Sequence, residues 1–94
     1  MQILPEPLQF EWDDGNRQKN WMKHKVTDEE CEEVFFDPHK RIFKEAVHAG
    51  SEWRYVLLGR TSLERALFIV FTIRQKKIRI ISARDLNRKE RGLS

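Results

Sequence analysis

Ninety-four residues and 11.4 kDa suffice for one domain around one core. Hydrophobic residues make up 39% of the chain and aromatic ones 11%, which argues against intrinsic disorder although 35% is charged and the mean hydropathy is −0.69. The longest apolar run, residues 66–71, is far too short for a membrane-spanning helix, and a single cysteine, Cys31, excludes an intramolecular disulfide and a cysteine-based zinc site. The expectation is one soluble domain over 1–94, kept in the cytoplasm, with no membrane partner.

The net charge of +3 is unevenly distributed: residues 1–39 carry ten acids against four bases, and residues 40–94 carry five acids against fourteen bases. A basic half of this kind attracts polyanions, nucleic acid foremost; the plainer alternative is a solvated face that keeps the protein soluble.

In chain order, residues 1–9 hold two of the three prolines and read as an extended lead-in. A short strand follows at 10–12. Asp13 or Asp14 then caps a helix through about His24, whose last turn gathers Lys23, His24 and Lys25 at the negative end of the helix dipole. A second helix has a stronger start signal. Thr27 and Glu30 are spaced as a capping box, Val26 and Cys31 as a hydrophobic staple, and Cys31, Val34 and Phe35 form its core-facing stripe until Asp37-Pro38 ends it. Cys31 is thus a core residue before it is a nucleophile.

Strand patterns occupy the remainder at 41–48, 52–58, 66–73 and 77–84, separated by segments containing Gly50, Gly59 and the run Arg74-Gln75-Lys76-Lys77. The third, ALFIVFTI, is apolar on both faces and belongs in the middle of the sheet. Trp53, Tyr55 and Leu57 alternate as one buried face of its neighbour. A short C-terminal helix starts from Asn87. The expected architecture is α+β: two N-terminal helices on a curved, mainly antiparallel four-stranded sheet, with a short N-terminal strand and a short C-terminal helix.

No phosphate loop, nucleophile elbow or HExxH motif is present, and the histidines at 24, 39 and 48 have no metal-ligand spacing, so neither metal nor cofactor is expected. Lys23 and His24 stand at a helix end beside a turn, where they either complement the dipole or reach a groove. Arg79 interrupts an isoleucine-rich strand that Arg84 closes, and Arg74 ends the strand before it. Guanidinium groups on adjacent strands can clamp a phosphate. In a straight strand Arg79 and Arg84 face opposite ways, so a shared site needs a bulge, twist or strand end between them.

Taken together, FEWD (10–13), Asn20 with Lys23 and His24, EEVFFDP (32–38), GRTS (59–62) and IRIISAR (78–84) followed by NRKER resemble the BrnT toxins of type II toxin–antitoxin systems. The resemblance implies a RelE-like fold, RNA cleavage that arrests translation, and a BrnA-like ribbon-helix-helix antitoxin through whose complex alone DNA is bound. Carried onto this sequence, it implies Lys23, His24, Arg65, Arg74 and Arg79 as catalytic residues, with Arg60, Arg84 and Arg88 holding RNA. Lys25 stands where such relatives commonly have a helix-closing glycine. Chemically, metal-free RNA cleavage needs a base at the 2′-hydroxyl, cations around the phosphorane and an acid for the 5′-oxygen. Lys23 or His24 would be base or acid, and Arg65, Arg74 and Arg79 would stabilise charge in one hollow. The runner-up reading is a non-catalytic basic module binding RNA or DNA. Its stacking aromatics are missing if Phe35, Phe36, Trp53 and Phe68 are all core.

Overall fold

A computed structural model of the protein describes residues 4–5, 7–12, 24–45, 53–87 and 89. The described residues form one helix, α1 (Asp28–Val34), on a mixed, mainly antiparallel sheet of β1 (Phe10–Glu11), β2 (Arg41–Lys44), β3 (Tyr55–Arg60), β4 (Ala66–Arg74) and β5 (Lys77–Asp85). The strand order is β1-β5-β4-β3-β2, with β1 parallel to β5 and the other pairs antiparallel. The lead-in strand therefore joins the sheet as a fifth member. The helix expected between Asp13 and His24 lies outside the described residues except for His24, and so does most of the helix expected after Asn87.

α1 starts as its sequence dictates. Thr27 Oγ1 accepts the Glu30 N–H at 3.1 Å, and Glu30 Oε1 accepts the Thr27 N–H at 3.0 Å, which satisfies two donors that a helix start leaves open. Val26, Cys31, Val34 and Phe35 are each at most 1% exposed and enter one core cluster with Leu57, Leu67, Ile69, Phe71, Ile78 and Ile80. Phe35 is the centre of that cluster, edge-on to Phe10 at 5.2 Å and to Phe71 at 5.0 Å. β4 is central, paired along both edges, as its two-sided apolar pattern requires.

Three expectations need correction. Gly59 is no turn residue: it lies within β3, because α1 presses on the sheet there. A Cβ at Gly59 would come within 3.2 Å of the Val34 Cβ and of the Val34 carbonyl oxygen, so a side chain fits there only if α1 gives by a few tenths of an ångström. Trp53 is not buried with Leu57 but 39% exposed, since it precedes the paired part of β3; the Lys44 ammonium lies 4.0 Å from its ring. Phe36 is 67% exposed, because the turn after α1 points Phe35 inward and its neighbour outward, and Phe68 is only half-buried. Of the four aromatics read as core, Phe35 alone belongs to its fully buried centre.

The motifs that carried the family resemblance are bonded to one another. Glu32 Oε2 accepts the Trp12 indole N–H at 2.7 Å, and Glu33 accepts the Ser62 backbone N–H. The Asp37 carboxylate accepts the backbone N–H groups of His39 at 2.9 Å and Arg60 at 2.8 Å. Burial pushes the Asp37 carboxyl up, but these donors outweigh it and hold it below its ordinary value. EEVFFDP thus fastens FEWD on one side and GRTS on the other, which makes all three parts of the scaffold.

Candidate nucleic-acid interface

The sheet has two different faces. Tyr55, Leu57, Leu67, Ile69, Phe71, Ile78 and Ile80 point to the α1 side. On the other side, register aligns Arg41, Leu58, Phe68 and Arg84 in one row across four strands, then Phe43, Val56, Val70 and Ser82 in the next. Further along stand Thr72 opposite Arg79 and Arg74 opposite Lys77.

Arg79 and Arg84 share this second face because β5 contains a bulge. Ser82 pairs with Val70 and Ile80 pairs with Phe71, so Ile81 is an extra residue on β5. One inserted residue reverses the alternation beyond it, which brings Arg84 back to the side of Arg79. The Arg84 guanidinium carbon lies 4.1 Å from the centre of the Phe68 ring, and its Nη1 donates to the Asp85 carbonyl at 3.1 Å.

Arg65 is placed differently. It ends the loop from β3 to β4, fixed by its carbonyl, which accepts the Thr61 N–H at 3.0 Å, and by Thr61 Oγ1, which accepts the Arg65 N–H at 3.1 Å. Its guanidinium donates to both carboxylate oxygens of Asp85 at 2.7 and 3.0 Å, and to both of Glu30 at 3.1 and 3.0 Å. It also donates to the carbonyls of Lys25 at 2.9 Å and His24 at 3.0 Å. Hydrogen bonds to Asp85 first, then to Glu30, outweigh burial and raise the Arg65 pKa. Burial pushes Glu30 up, yet donors from Thr27 and Arg65 leave it below its ordinary value. One side chain therefore ties the residue 24–25 turn to α1 and to the end of β5.

That turn is strained. Lys25 has φ 54°, the left-handed region in which an L side chain crowds the backbone. Replacing Lys25 by Gly is expected to stabilise the fold by about 0.5–1 kcal/mol and to raise the thermal midpoint by several degrees, read by thermal denaturation.

The catalytic residues expected from the sequence do not all meet. Arg65 precedes β4 and Arg74 ends it, so the strand rise separates them by about 26 Å or more, beyond any single phosphate. Arg79 and Arg84 are four β4 positions apart through their partners Thr72 and Phe68, roughly 13 Å between backbones, which two arginine side chains can bridge. Exposed His24 is held near the Arg84 end, because the Arg65 Nη2 binds both its carbonyl and Asp85. Arg60 is exposed at the end of β3, while Lys23 and Arg88 lie outside the described residues. Cys31 is fully buried, and burial, followed by Asp28, Glu30 and Glu32, pushes its thiol up to about 12, which removes it as a nucleophile. Phe43, 44% exposed on the arginine-bearing face, escaped the sequence reading although its alternation with Arg41 was legible.

No helix among the described residues is long and apolar enough to cross a membrane. No curated protein matches the chain. A family model described as the ribonuclease toxin BrnT of type II toxin–antitoxin systems matches residues 12–90. That match begins just after β1, covers α1 and β2 to β5 and runs into the segment beyond β5, so the chain belongs to the BrnT family and is a ribonuclease toxin of a type II toxin–antitoxin system, with RNA as substrate and an antitoxin as partner.

Proposed function

We propose that this toxin cuts RNA without a metal ion, on the sheet face that carries Arg79 and Arg84. The observation behind this reading is the Ile81 bulge, which gives one face two guanidinium groups that strict alternation would separate. The 2′-oxygen attacks the neighbouring phosphorus as its proton passes to a base, the bond to the 5′-oxygen breaks, and an acid protonates that oxygen. The products are a 2′,3′-cyclic phosphate, which water can open to a 3′-phosphate, and a 5′-hydroxyl end. His24 is the acid–base group and Lys23 its neighbour in the same role. Arg79 and Arg84 stabilise the phosphorane charge, a task for which fixed bidentate donors suit better than an ammonium. Arg74, two β4 positions beyond Arg79, contacts the next phosphate, and Arg60 and Arg88 hold flanking RNA. Arg65 acts by holding the His24 turn, since two carboxylates and two carbonyls already occupy its donors.

The fold is RelE-like on this reading, and the toxin works in the cytoplasm. A BrnA-like ribbon-helix-helix antitoxin blocks the basic face, and DNA is reached only through that complex. Incubating the purified toxin with RNA and excess chelator tests the chemistry. Fragments ending in cyclic or 3′-phosphate, with the DNA of the same sequence uncut, are expected. Loss of cleavage on chelation would overturn metal independence, and RNA bound but intact at every protein concentration would favour the non-catalytic module.

A further inference from the structure

We infer that Phe43 and Arg41 on β2 form a second nucleotide subsite, in which Phe43 stacks a base and Arg41 holds a phosphate, so that the substrate is single-stranded RNA crossing the sheet from β5 to the β2 edge. This inference rests on the proposal that the arginine-bearing face binds RNA.

Register supplies the first argument. Arg41 is in the same cross-strand row as Arg84, separated from it by Leu58 and Phe68. Three strand spacings amount to about 14 Å, roughly two nucleotides of extended strand. The row thus has a cation at each end and apolar side chains between, and a base-paired duplex could not bring an unstacked base onto it.

Exposure supplies the second. Among the described strand residues, Phe43 and Phe68 are the partly open aromatics on the arginine-bearing face, and Phe68 already has a cation, Arg84. Phe43 has neither a ring contact nor a cation among the described residues, and it is 44% exposed. An open ring two residues from an arginine, on an edge strand, is a stacking platform that every base can use.

The test uses DNA oligonucleotides containing one ribose, which fixes the bond that is cut, lengthened one nucleotide at a time on either side. The readout is the ratio of kcat/KM for long and short substrates, which does not depend on the fraction of enzyme folded. For the unmodified toxin the ratio is expected to rise about tenfold when the chain becomes long enough to reach β2. Phe43→Leu should reduce that gain to less than twofold, whereas Phe43→Tyr should retain it. Arg41→Gln should lower the salt dependence on long substrates by about one ion and not on the shortest. A ratio that does not change with length, or that is the same in Phe43→Leu as in the unmodified toxin, overturns the subsite while the nuclease reading stands. A toxin that cuts neither these substrates nor RNA overturns the nuclease reading itself.

Discussion

Arg65→Ala is expected to be the most damaging single substitution at this end of the molecule, lowering both stability and RNA cleavage. Truncation removes the Arg65 donors from Glu30, which keeps only those of Thr27, from Asp85, and from the His24 and Lys25 carbonyls. Arg65 and Glu30 are only 27% and 25% exposed, whereas Asp85 is 53% exposed and largely screened by water. The net cost is about 2–4 kcal/mol, enough to move the thermal midpoint of a domain this small by roughly 10–20 °C. Arg65→Lys should recover less than half, because one ammonium cannot reach acceptors on three segments. The loss should also depend on pH. The Glu30 carboxyl lies below its ordinary value of 4.5 in the folded protein, so its contribution is present above about that pH and fades as the pH falls through the lowered value. The gap between the unmodified protein and Arg65→Ala should therefore narrow on acidification. Thermal denaturation between pH 7 and pH 3 measures it, and a gap that widens towards acid would contradict the assignment. Cleavage should fall with stability, and where both proteins are fully folded the remaining deficit reports the displaced His24 turn.

Arg79→Ala separates activity from stability in the opposite way. Arg79 is mid-strand opposite Thr72 and half-buried on the face away from α1, outside the aromatic core. On the proposed mechanism it donates to the phosphorane. Its removal should reduce kcat by about 100- to 1,000-fold, the usual effect of losing one preorganised donor to a transition-state anion. The thermal midpoint should move by only a few degrees, since strand pairing and the bulge are backbone features. Arg79→Lys should restore a small part of the rate, because it keeps the charge and loses the paired donors. Single-turnover cleavage with saturating protein reads the chemical step directly. A variant that binds RNA more weakly but cuts at the unmodified rate would make Arg79 a binding residue only.

The relation between motif and role is less direct than the sequence suggests. FEWD, EEVFFDP and GRTS are distinctive, and their side chains mainly hold one another: Glu32 holds Trp12, Glu33 holds Ser62, Asp37 holds Arg60, and Val34 closes on Gly59. IRIISAR is the motif that reaches the open face. The family resemblance implies charge stabilisation by Arg65 together with Arg74 and Arg79, whereas the carboxylates that occupy Arg65, Glu30 and Asp85, are 35 and 20 residues away in sequence. Such partners cannot be read from local spacing.

Local chemistry was enough for the elements themselves. The capping box at Thr27 and Glu30, the Cys31, Val34 and Phe35 stripe, the proline stop and the central position of β4 all follow from interactions within a few residues or from two-sided hydrophobicity. The addition of β1 to β5, the Ile81 bulge that turns Arg84 to the side of Arg79, and the capture of the His24 carbonyl by Arg65 were settled only by tertiary packing. Each depends on which strand lies beside which and on an offset of one residue, and side-chain composition carries no direct record of either.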